Sequence, residues 1–126
     1  MRKRILKHIY LLLLLAAGLP ALGQHHQAII RPVHGQGQKP LPGTFAIVQD
    51  NQGFMWFGTT DGLFRYDGYR TKAFRHTPND SNSISANVVR ALLKDSAGYI
   101  WIGTQGGGLC RLDPATETFK TIALQP

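Results

Sequence analysis

The sequence has few cysteines, few acidic residues and no long uninterrupted apolar segment, and these shortages exclude several classes of protein. Its one cysteine, Cys110, excludes an intrachain disulfide framework and a zinc site built on cysteine pairs. The longest apolar stretch runs from Ile9 to Leu22 and contains a glycine and a proline. It is shorter than the ~20 residues that a membrane-spanning helix needs. A length of 126 residues allows one domain at most, which excludes a multidomain enzyme within this polypeptide.

The first 23 residues have the three-part pattern of a secretory signal peptide. Residues 1–7 carry four positive charges and no acid, and an apolar segment covers residues 9–17. A small-x-small site, Ala21-Leu22-Gly23, follows and predicts cleavage between Gly23 and Gln24. The alternative, an uncleaved membrane anchor, is disfavoured by the length of the apolar segment. We therefore expect an exported, periplasmic protein.

Most of the net charge of +7 belongs to this export signal. Cleavage removes four of the 14 lysines and arginines and none of the 7 acids, which leaves 103 residues with a net charge of +3. The remaining basic residues are scattered between Arg31 and Lys120 and form no stripe with interleaved aromatic residues. No nucleic-acid partner is therefore expected.

Residues 24–43 are predicted to be a flexible lead-in, because they are rich in Gln, His, Gly and Pro. A short edge strand is predicted at Ala28–Arg31 within it. After cleavage His26 would stand third in the chain, where a histidine and a free N-terminus can bind Cu(II) or Ni(II). Terminal histidines without a metal, here His25 and His26, are the favoured alternative, and no cofactor or metal is expected.

The strongest signal in the sequence is an internal repeat with an offset of 45 residues. Residues 46–61 align with residues 91–106, and one extra glycine moves the offset to 46 afterwards. Ten of the 22 aligned positions are identical, where background composition would give about one or two. Phe74 and Phe119 align again at the offset of 45. The repeats are predicted to cover residues 44–87 and 88–126.

Each copy is predicted to form four short strands joined by turns. Every repeat contains apolar runs of about five residues, separated by Asp- and Gly-containing turn segments. Four antiparallel strands every ~45 residues are the blade pattern of a β-propeller. We therefore predict an all-β fold with two propeller blades of an incomplete propeller, preceded by a signal-peptide helix. The predicted strands are 45–49, 54–59, 63–67, 69–75, 88–94, 99–104, 109–113 and 118–122.

The repeated residues are predicted to have structural roles. The aspartates should accept hydrogen bonds from turn backbone, the first glycine should adopt a positive φ, and the tryptophan should fill the gap between neighbouring sheets. The glycine after the tryptophan should allow close approach of a neighbouring chain. The motif residues are Asp50, Gly53, Trp56, Gly58 and Thr59 in the first copy and Asp95, Gly98, Trp101, Gly103 and Thr104 in the second.

Four further features carry chemical alternatives. Arg65 and Arg111 each precede an aspartate by two residues, so Arg–Asp pairing on one sheet face is predicted, with ligand binding by the arginine as the alternative. Gly106-Gly107-Gly108 is predicted to be a hairpin loop, because it lacks the Gly-Lys-Ser/Thr ending of a phosphate-binding loop. Cys110 is predicted to be a packed side chain and not a catalytic thiol. His76 has no partner in the repeat pattern that would indicate acid–base catalysis.

The two copies resemble the two-component regulator propeller repeat. The resemblance is carried by Val48–Thr59 with Asp61–Gly68, by Leu93–Thr104 with Gly106–Pro114, and by the connector Pro78–Ser85. It implies the exported sensor region of a membrane histidine kinase, often a hybrid one, in Bacteroidetes-type bacteria. It further implies an oligosaccharide or other small extracellular ligand, bound by the complete propeller. The full-length relative would be anchored in the inner membrane and would carry the kinase.

The sequence departs from the family pattern where Phe64 and Cys110 replace the usual asparagine of the third strand. With two repeats, the chain is expected to be an N-terminal fragment of the sensor propeller, without enzymatic activity, whose partners are the remaining blades. Two alternatives from other classes stay open. One is a fragment of an exported propeller enzyme, a lyase or a hydrolase. The other is a non-catalytic binding or assembly module.

Overall fold

The computed structural model describes residues 2–17 and 28–124. An α-helix, α1, covers Arg2–Ala17 and so contains the basic segment and the apolar segment of the predicted signal peptide. Its 16 residues rise about 24 Å along the axis. Nowhere in the described ranges is there a helix with the length and the apolar character that crossing a membrane requires. The predicted cleavage site between Gly23 and Gln24 lies outside the described residues, as do His25 and His26.

Residues from Arg31 onward form a separate compact unit made of two antiparallel sheets. Each sheet has four strands in sequence order, so each repeat is an up-and-down meander. The predicted all-β class with two four-stranded blades is therefore confirmed. The first blade contains β1 Thr44–Gln49, β2 Met55–Thr59, β3 Gly62–Tyr66 and β4 Thr71–Phe74; the second contains β5 Val89–Lys94, β6 Ile100–Thr104, β7 Gly108–Asp113 and β8 Thr118–Ile122.

Strand alternation gives each blade two faces. We call the face that carries Trp56 or Trp101 the tryptophan face, and the other the opposite face. The registers place Val48, Leu63 and Phe74 on the tryptophan face of the first blade, through Val48↔Trp56, Gly58↔Leu63 and Leu63↔Phe74. In the second blade the opposite face carries Leu92, Ile100, Ile102, Cys110, Leu112 and Phe119.

The core lies between the tryptophan face of the first blade and the opposite face of the second. Its buried members come from both sheets and from the connector between them. Contact across the core is direct, because the rings of Phe74 and Phe119 lie with their centroids 5.6 Å apart. One apolar layer thus joins two sheets that each have too small a surface to form a core alone. The cluster is Trp56, Leu63, Ile84, Val89, Ile100, Ile102, Cys110, Leu112 and Phe119.

The connector between the blades, residues 75–88, is fastened at several points. Ser83 is buried, and its hydroxyl accepts a hydrogen bond from the backbone N–H of Thr77 at 3.0 Å. The side chain of Ile84 is fully buried in the core. The Asn82 side-chain oxygen accepts a bond from the Phe119 backbone N–H at 2.7 Å. The polar composition of this segment predicted its turns but not the buried anchor at Ile84.

Two expectations about strands are wrong. Residues 28–31 form no strand, and the side chains of Ile29 and Ile30 are exposed, because no sheet edge pairs with them in the described part of the chain. Phe74 and Phe119 are not structurally equivalent, although they align at the repeat offset. Leu63 pairs with Phe74, whereas the matching Leu109 pairs with Ile122. One extra glycine in the β6–β7 loop and two extra residues in the β7–β8 hairpin give Phe119 the register position of Thr71, three residues before that of Phe74, so its side chain lies on the opposite face.

Candidate functional site

The repeated aspartate and tryptophan form one hydrogen-bonded unit in the first blade. Asp50 directly follows β1, and its Oδ1 accepts bonds from the backbone N–H groups of Gln52 at 2.9 Å and Phe54 at 3.0 Å. Its Oδ2 accepts the indole N–H of Trp56 at 2.8 Å. Both side chains are buried, so the carboxylate holds the turn and also satisfies the one polar atom of the tryptophan. The turn-capping role is observed as predicted; the bond to the indole was not foreseen.

The second blade reproduces this unit closely. Asp95 Oδ1 accepts bonds from the backbone N–H groups of Ala97 and Tyr99, each at 3.0 Å, and Oδ2 accepts the Trp101 indole N–H at 2.8 Å. The bond from Trp101 is the largest of the causes that hold the pKa of Asp95 below its usual value of 3.8. The backbone donors lower this pKa further because they also favour the charged carboxylate. Repetition of the geometry shows that the Asp–Trp pair is an element of the blade itself.

Glycines complete the unit where a side chain would not fit. Gly53 and Gly98 adopt φ values of +92° and +93°, in the region that glycine occupies without a steric penalty. A Cβ on Gly58 would lie 2.6 Å from a methyl carbon of Val89 in the next blade, whereas one on Gly103 would lie 3.4 Å from the Ala91 Cβ. Gly58 therefore lets the second blade approach closely, as predicted.

The repeated threonines close the next hairpin. Thr59 Oγ1 donates to the Gly62 carbonyl at 2.9 Å, and Thr104 Oγ1 donates to the Gly108 carbonyl at 2.9 Å. The first hairpin has the two-residue loop Thr60-Asp61, and the second has the three-residue loop 105–107. The glycine run 106–108 thus belongs to a hairpin, as expected.

An ion-pair cluster joins the two blades and was missed by sequence reasoning. Arg65 on β3 and Lys72 on β4 are cross-strand neighbours on the tryptophan face, and both form salt bridges with Glu117 of the second blade. The Arg65 guanidinium also lies over the ring of Phe54, 4.8 Å from its centroid. Glu117 stands in the β7–β8 hairpin, a segment without a counterpart in the aligned repeats, so only the packing of the blades brings it here.

The predicted Arg–Asp pairing is therefore wrong in both copies, since among the described residues no salt bridge joins Arg65 to Asp67 or Arg111 to Asp113. Asp67 Oδ1 accepts bonds from the backbone N–H groups of Arg70 at 2.7 Å and Tyr69 at 2.8 Å, and these bonds lower its pKa. Asp113 likewise accepts the backbone N–H of Ala115 at 3.0 Å. Strand β3 ends one residue before Asp67, and β7 ends at Asp113. Both carboxylates therefore cap hairpins and do not pair with an arginine on a sheet face.

A groove lies where the lead-in runs past the outer end of the first blade. It has a volume of about 730 Å³ and is open to solvent along one side. Tyr69, which is 93% exposed, stands at this groove. The Thr71 hydroxyl oxygen is buried there and has no hydrogen-bond partner among the described residues. The lining is Pro32, His34, Gly35, Gln36, Gly37, Tyr66, Tyr69, Arg70 and Thr71.

Both Asp–Trp units lie in segments that match a known family model. A model described as "two component regulator propeller" matches residues 42–61 and 83–106, which contain both Asp–Trp units. Both matched segments are similar to the repeat that this model describes. The matched segments end before the hairpins that hold Asp67 and Glu117.

Proteins similar to this chain include a histidine kinase and extracellular domains of two-component systems. The chain is 43% identical over 54 residues to "Histidine kinase P4" of Formosa agariphila, a match that covers 43% of this chain and 4% of that protein. It resembles the extracellular domain of a hybrid two-component system of B. thetaiotaomicron, with a TM-score of 0.62 and 31% identity over 70% of this chain and 12% of that one. A second such domain from B. thetaiotaomicron gives a TM-score of 0.50 and 30% identity, over 62% and 11%.

The two remaining candidate residues, Cys110 and His76, have contacts that indicate structural roles. Cys110 is fully buried in the core, and burial raises the pKa of its thiol, which keeps it protonated and unreactive. The His76 ring shares a hydrogen bond of 2.7 Å with the Ile84 carbonyl. Among the residues that the structure describes, no group of three or more His, Cys, Asp or Glu side chains comes together.

Proposed function

We propose that the chain forms part of the extracellular ligand-sensing propeller of a membrane two-component kinase. The observation that carries the proposal is the packing of the two repeats as successive blades of a propeller. Its support from comparison is the likeness to extracellular domains of hybrid two-component systems and to a histidine kinase. The chain spans 4% of that kinase and about a tenth of those domains. The proposal assigns the catalytic output to other parts of the full-length protein.

Export to the periplasm is the second part of the proposal. The signal peptide directs the chain across the inner membrane, is cleaved between Gly23 and Gln24, and leaves the repeats outside the cytoplasm. The full-length protein is then anchored in the inner membrane by a segment elsewhere. The sixteen-residue helix that begins at Arg2 fits the basic and apolar segments of such a signal.

An oligosaccharide is the ligand class that we propose. The groove at the outer end of the first blade supports this choice, because an exposed tyrosine ring, an arginine and a histidine line it together with backbone groups of the lead-in. Aromatic faces and a few placed polar groups are the usual means by which a protein pocket fixes the orientation of a small ligand. Tyr69 would then stack on a sugar ring while Arg70 donates hydrogen bonds to hydroxyl groups.

Titration calorimetry on the complete extracellular region that contains this chain tests the ligand class. A panel of plant, algal and host oligosaccharides should include one that releases heat, and Tyr69→Ala should weaken that binding at least tenfold. Phe45→Ala, which alters an exposed aromatic residue outside the groove, is the matched control and should leave the affinity unchanged. No heat with any oligosaccharide, or turnover of the sugar in place of stable binding, would contradict the proposal; turnover would favour the propeller-enzyme alternative.

A further inference from the structure

The second blade repeats the two cations of the ion-pair cluster that joins the two blades. Arg111 pairs with Lys120 across β7 and β8, as Arg65 pairs with Lys72 across β3 and β4. The equivalence is one of register, because Leu109↔Ile122 and Leu63↔Phe74 occupy the same places in the two hairpins. Both pairs of cations therefore lie on the tryptophan faces of their blades.

In the first blade the cluster is completed by a residue held in an unusual backbone conformation. Glu117 has a φ of +56°, in the left-handed region that residues other than glycine rarely adopt. From that position it forms salt bridges with both Arg65 and Lys72. A glycine would suit the backbone better but would supply no carboxylate, so the contact between blades accounts for the glutamate.

In the second blade the two cations face a cleft. The cleft has a volume of about 250 Å³ and is lined by Tyr99, Arg111, Asp113, Thr116, Thr118 and Lys120. The Arg111 guanidinium already lies over the ring of Tyr99, 4.3 Å from its centroid, as Arg65 lies over Phe54. Within residues 2–17 and 28–124, neither Arg111 nor Lys120 forms a salt bridge.

We propose that Arg111 and Lys120 bind a carboxylate on the outer hairpin of a further propeller repeat. This repeat packs its opposite face on the tryptophan face of the second blade, and its acidic side chain takes the place that Glu117 has against the first. The proposal rests on the proposed function, since it assumes that the propeller continues beyond the second blade. It identifies the partner by charge: a repeat with an acid immediately before its fourth strand.

Charge complementarity argues against a second copy of this chain as the occupant. The register that makes Phe74 the equivalent of Ile122 makes Tyr69 the equivalent of Glu117, because each lies five residues before that position. A head-to-tail dimer would therefore place an uncharged tyrosine and no carboxylate at Arg111 and Lys120, which leaves the two cations without an acidic partner at that interface. The same arrangement selects against incorrect pairing of blades within a propeller.

A three-repeat chain tests the proposal. Because Ile122 and Phe74 are equivalent, residues 75–122 can be repeated directly after Ile122 in place of residues 123–126. We expect this chain to have a higher urea midpoint than a variant in which the copy of Glu117 in the appended repeat is changed to arginine. Replacing Arg111 and Lys120 by glutamate in that variant should restore the midpoint. Equal midpoints for the appended glutamate, glutamine and arginine would overturn the proposal.

A second experiment uses the chain at its present length. Tyr69→Glu gives the first blade the acid that the cluster requires, so sedimentation velocity should show at least tenfold stronger head-to-tail association than the wild type, weakened by 0.5 M NaCl. Ile30→Glu makes the same charge change at an exposed position of the lead-in and should not associate. Failure of Tyr69→Glu to associate more than this control would also overturn the proposal. Neither readout depends on a ligand, so the proposed sensing function can fail independently.

Discussion

The two blades have nearly the same sequence motif but different surroundings, and the difference shows what a neighbouring blade contributes. Trp56 is fully buried because the second blade covers it, whereas Trp101 is only half-buried. Val48 on β1 packs against the core, but the equivalent Leu93 on β5 is 67% exposed. The hydrogen bonds of the Asp–Trp unit are the same in both copies. The motif therefore builds each blade, and contact between blades decides which of its residues form a core.

On the opposite faces it is the second blade whose side chains are covered by its neighbour. Leu92 packs against the core from the second blade, while its counterpart in the first, Ile47, is 57% exposed. Each blade thus has one face against its neighbour and one further apolar face that carries exposed side chains. Exposed apolar strands of this kind favour association with other sheets. Substitutions made in parallel at equivalent positions of the two blades measure this difference directly.

The largest expected difference concerns the two tryptophans. Trp56→Phe removes buried ring atoms and leaves the Asp50 carboxylate oxygen without its indole donor, so it should lower the free energy of unfolding by about 2–4 kcal/mol. Trp101→Phe should lower it by about 1 kcal/mol or less, because water reaches the vacated site. Urea unfolding followed by circular dichroism of the full chain compares the two variants. Equal losses would contradict the view that the second blade covers only the first tryptophan.

The glycines that follow the tryptophans should show a smaller difference in the same direction. Gly58→Ala places a methyl group against Val89 and should cost about 1–3 kcal/mol, since the two sheets must separate or Val89 must change rotamer. Gly103→Ala meets only ordinary contact distances and should change the free energy of unfolding by about 0.5 kcal/mol or less. The same urea titration gives both values. A larger loss for Gly103→Ala would show that its blade is also closely covered.

The smallest effect concerns acid stability at Asp95. Its pKa is lower in the folded chain than in the unfolded chain, so its ionised form stabilises the fold above pH 3.8, and this contribution is lost as the pH falls through the lower folded value. We therefore expect the wild type to lose stability between pH 5 and the acid limit of folding, and Asp95→Asn to lose less over that interval. Urea midpoints measured at pH 7, 5, 4 and 3 give the comparison. An identical acid loss in the two proteins would contradict the role assigned to the carboxylate.

The sequence was sufficient to predict the blades because the blade motif is local. Asp50, Gly53 and Trp56 lie within seven residues of one another, and their hydrogen bonds close within one turn and one strand. Turn chemistry of this kind depends on neighbouring residues and is readable from their order. The same locality explains why the edge strand at residues 28–31 was predicted wrongly. A strand requires a partner, and three apolar residues do not indicate whether one is present.

Contacts between blades were not predictable from the repeat. Phe119 matches Phe74 by offset, but the strand register places it three residues before the equivalent of Phe74 and on the other face, where it meets Phe74 in the core. Because side chains alternate along a strand, an odd shift in register moves a residue to the other face, and the register depends on the lengths of the preceding loops. Glu117 was missed for a related reason. Its partners are 52 and 45 residues away, and no local pattern links them.

The sequence by itself determined the repeat length, the turns and the residues that hold each blade together. These features depend on composition and on bonds between residues close in the chain, which short-range chemistry specifies. Only the tertiary structure decided which tryptophan is buried, which arginine is paired and which face of each blade remains open. Those outcomes depend on the register of the outer hairpins and on the presence of a second sheet at contact distance, and neither is written in a local pattern.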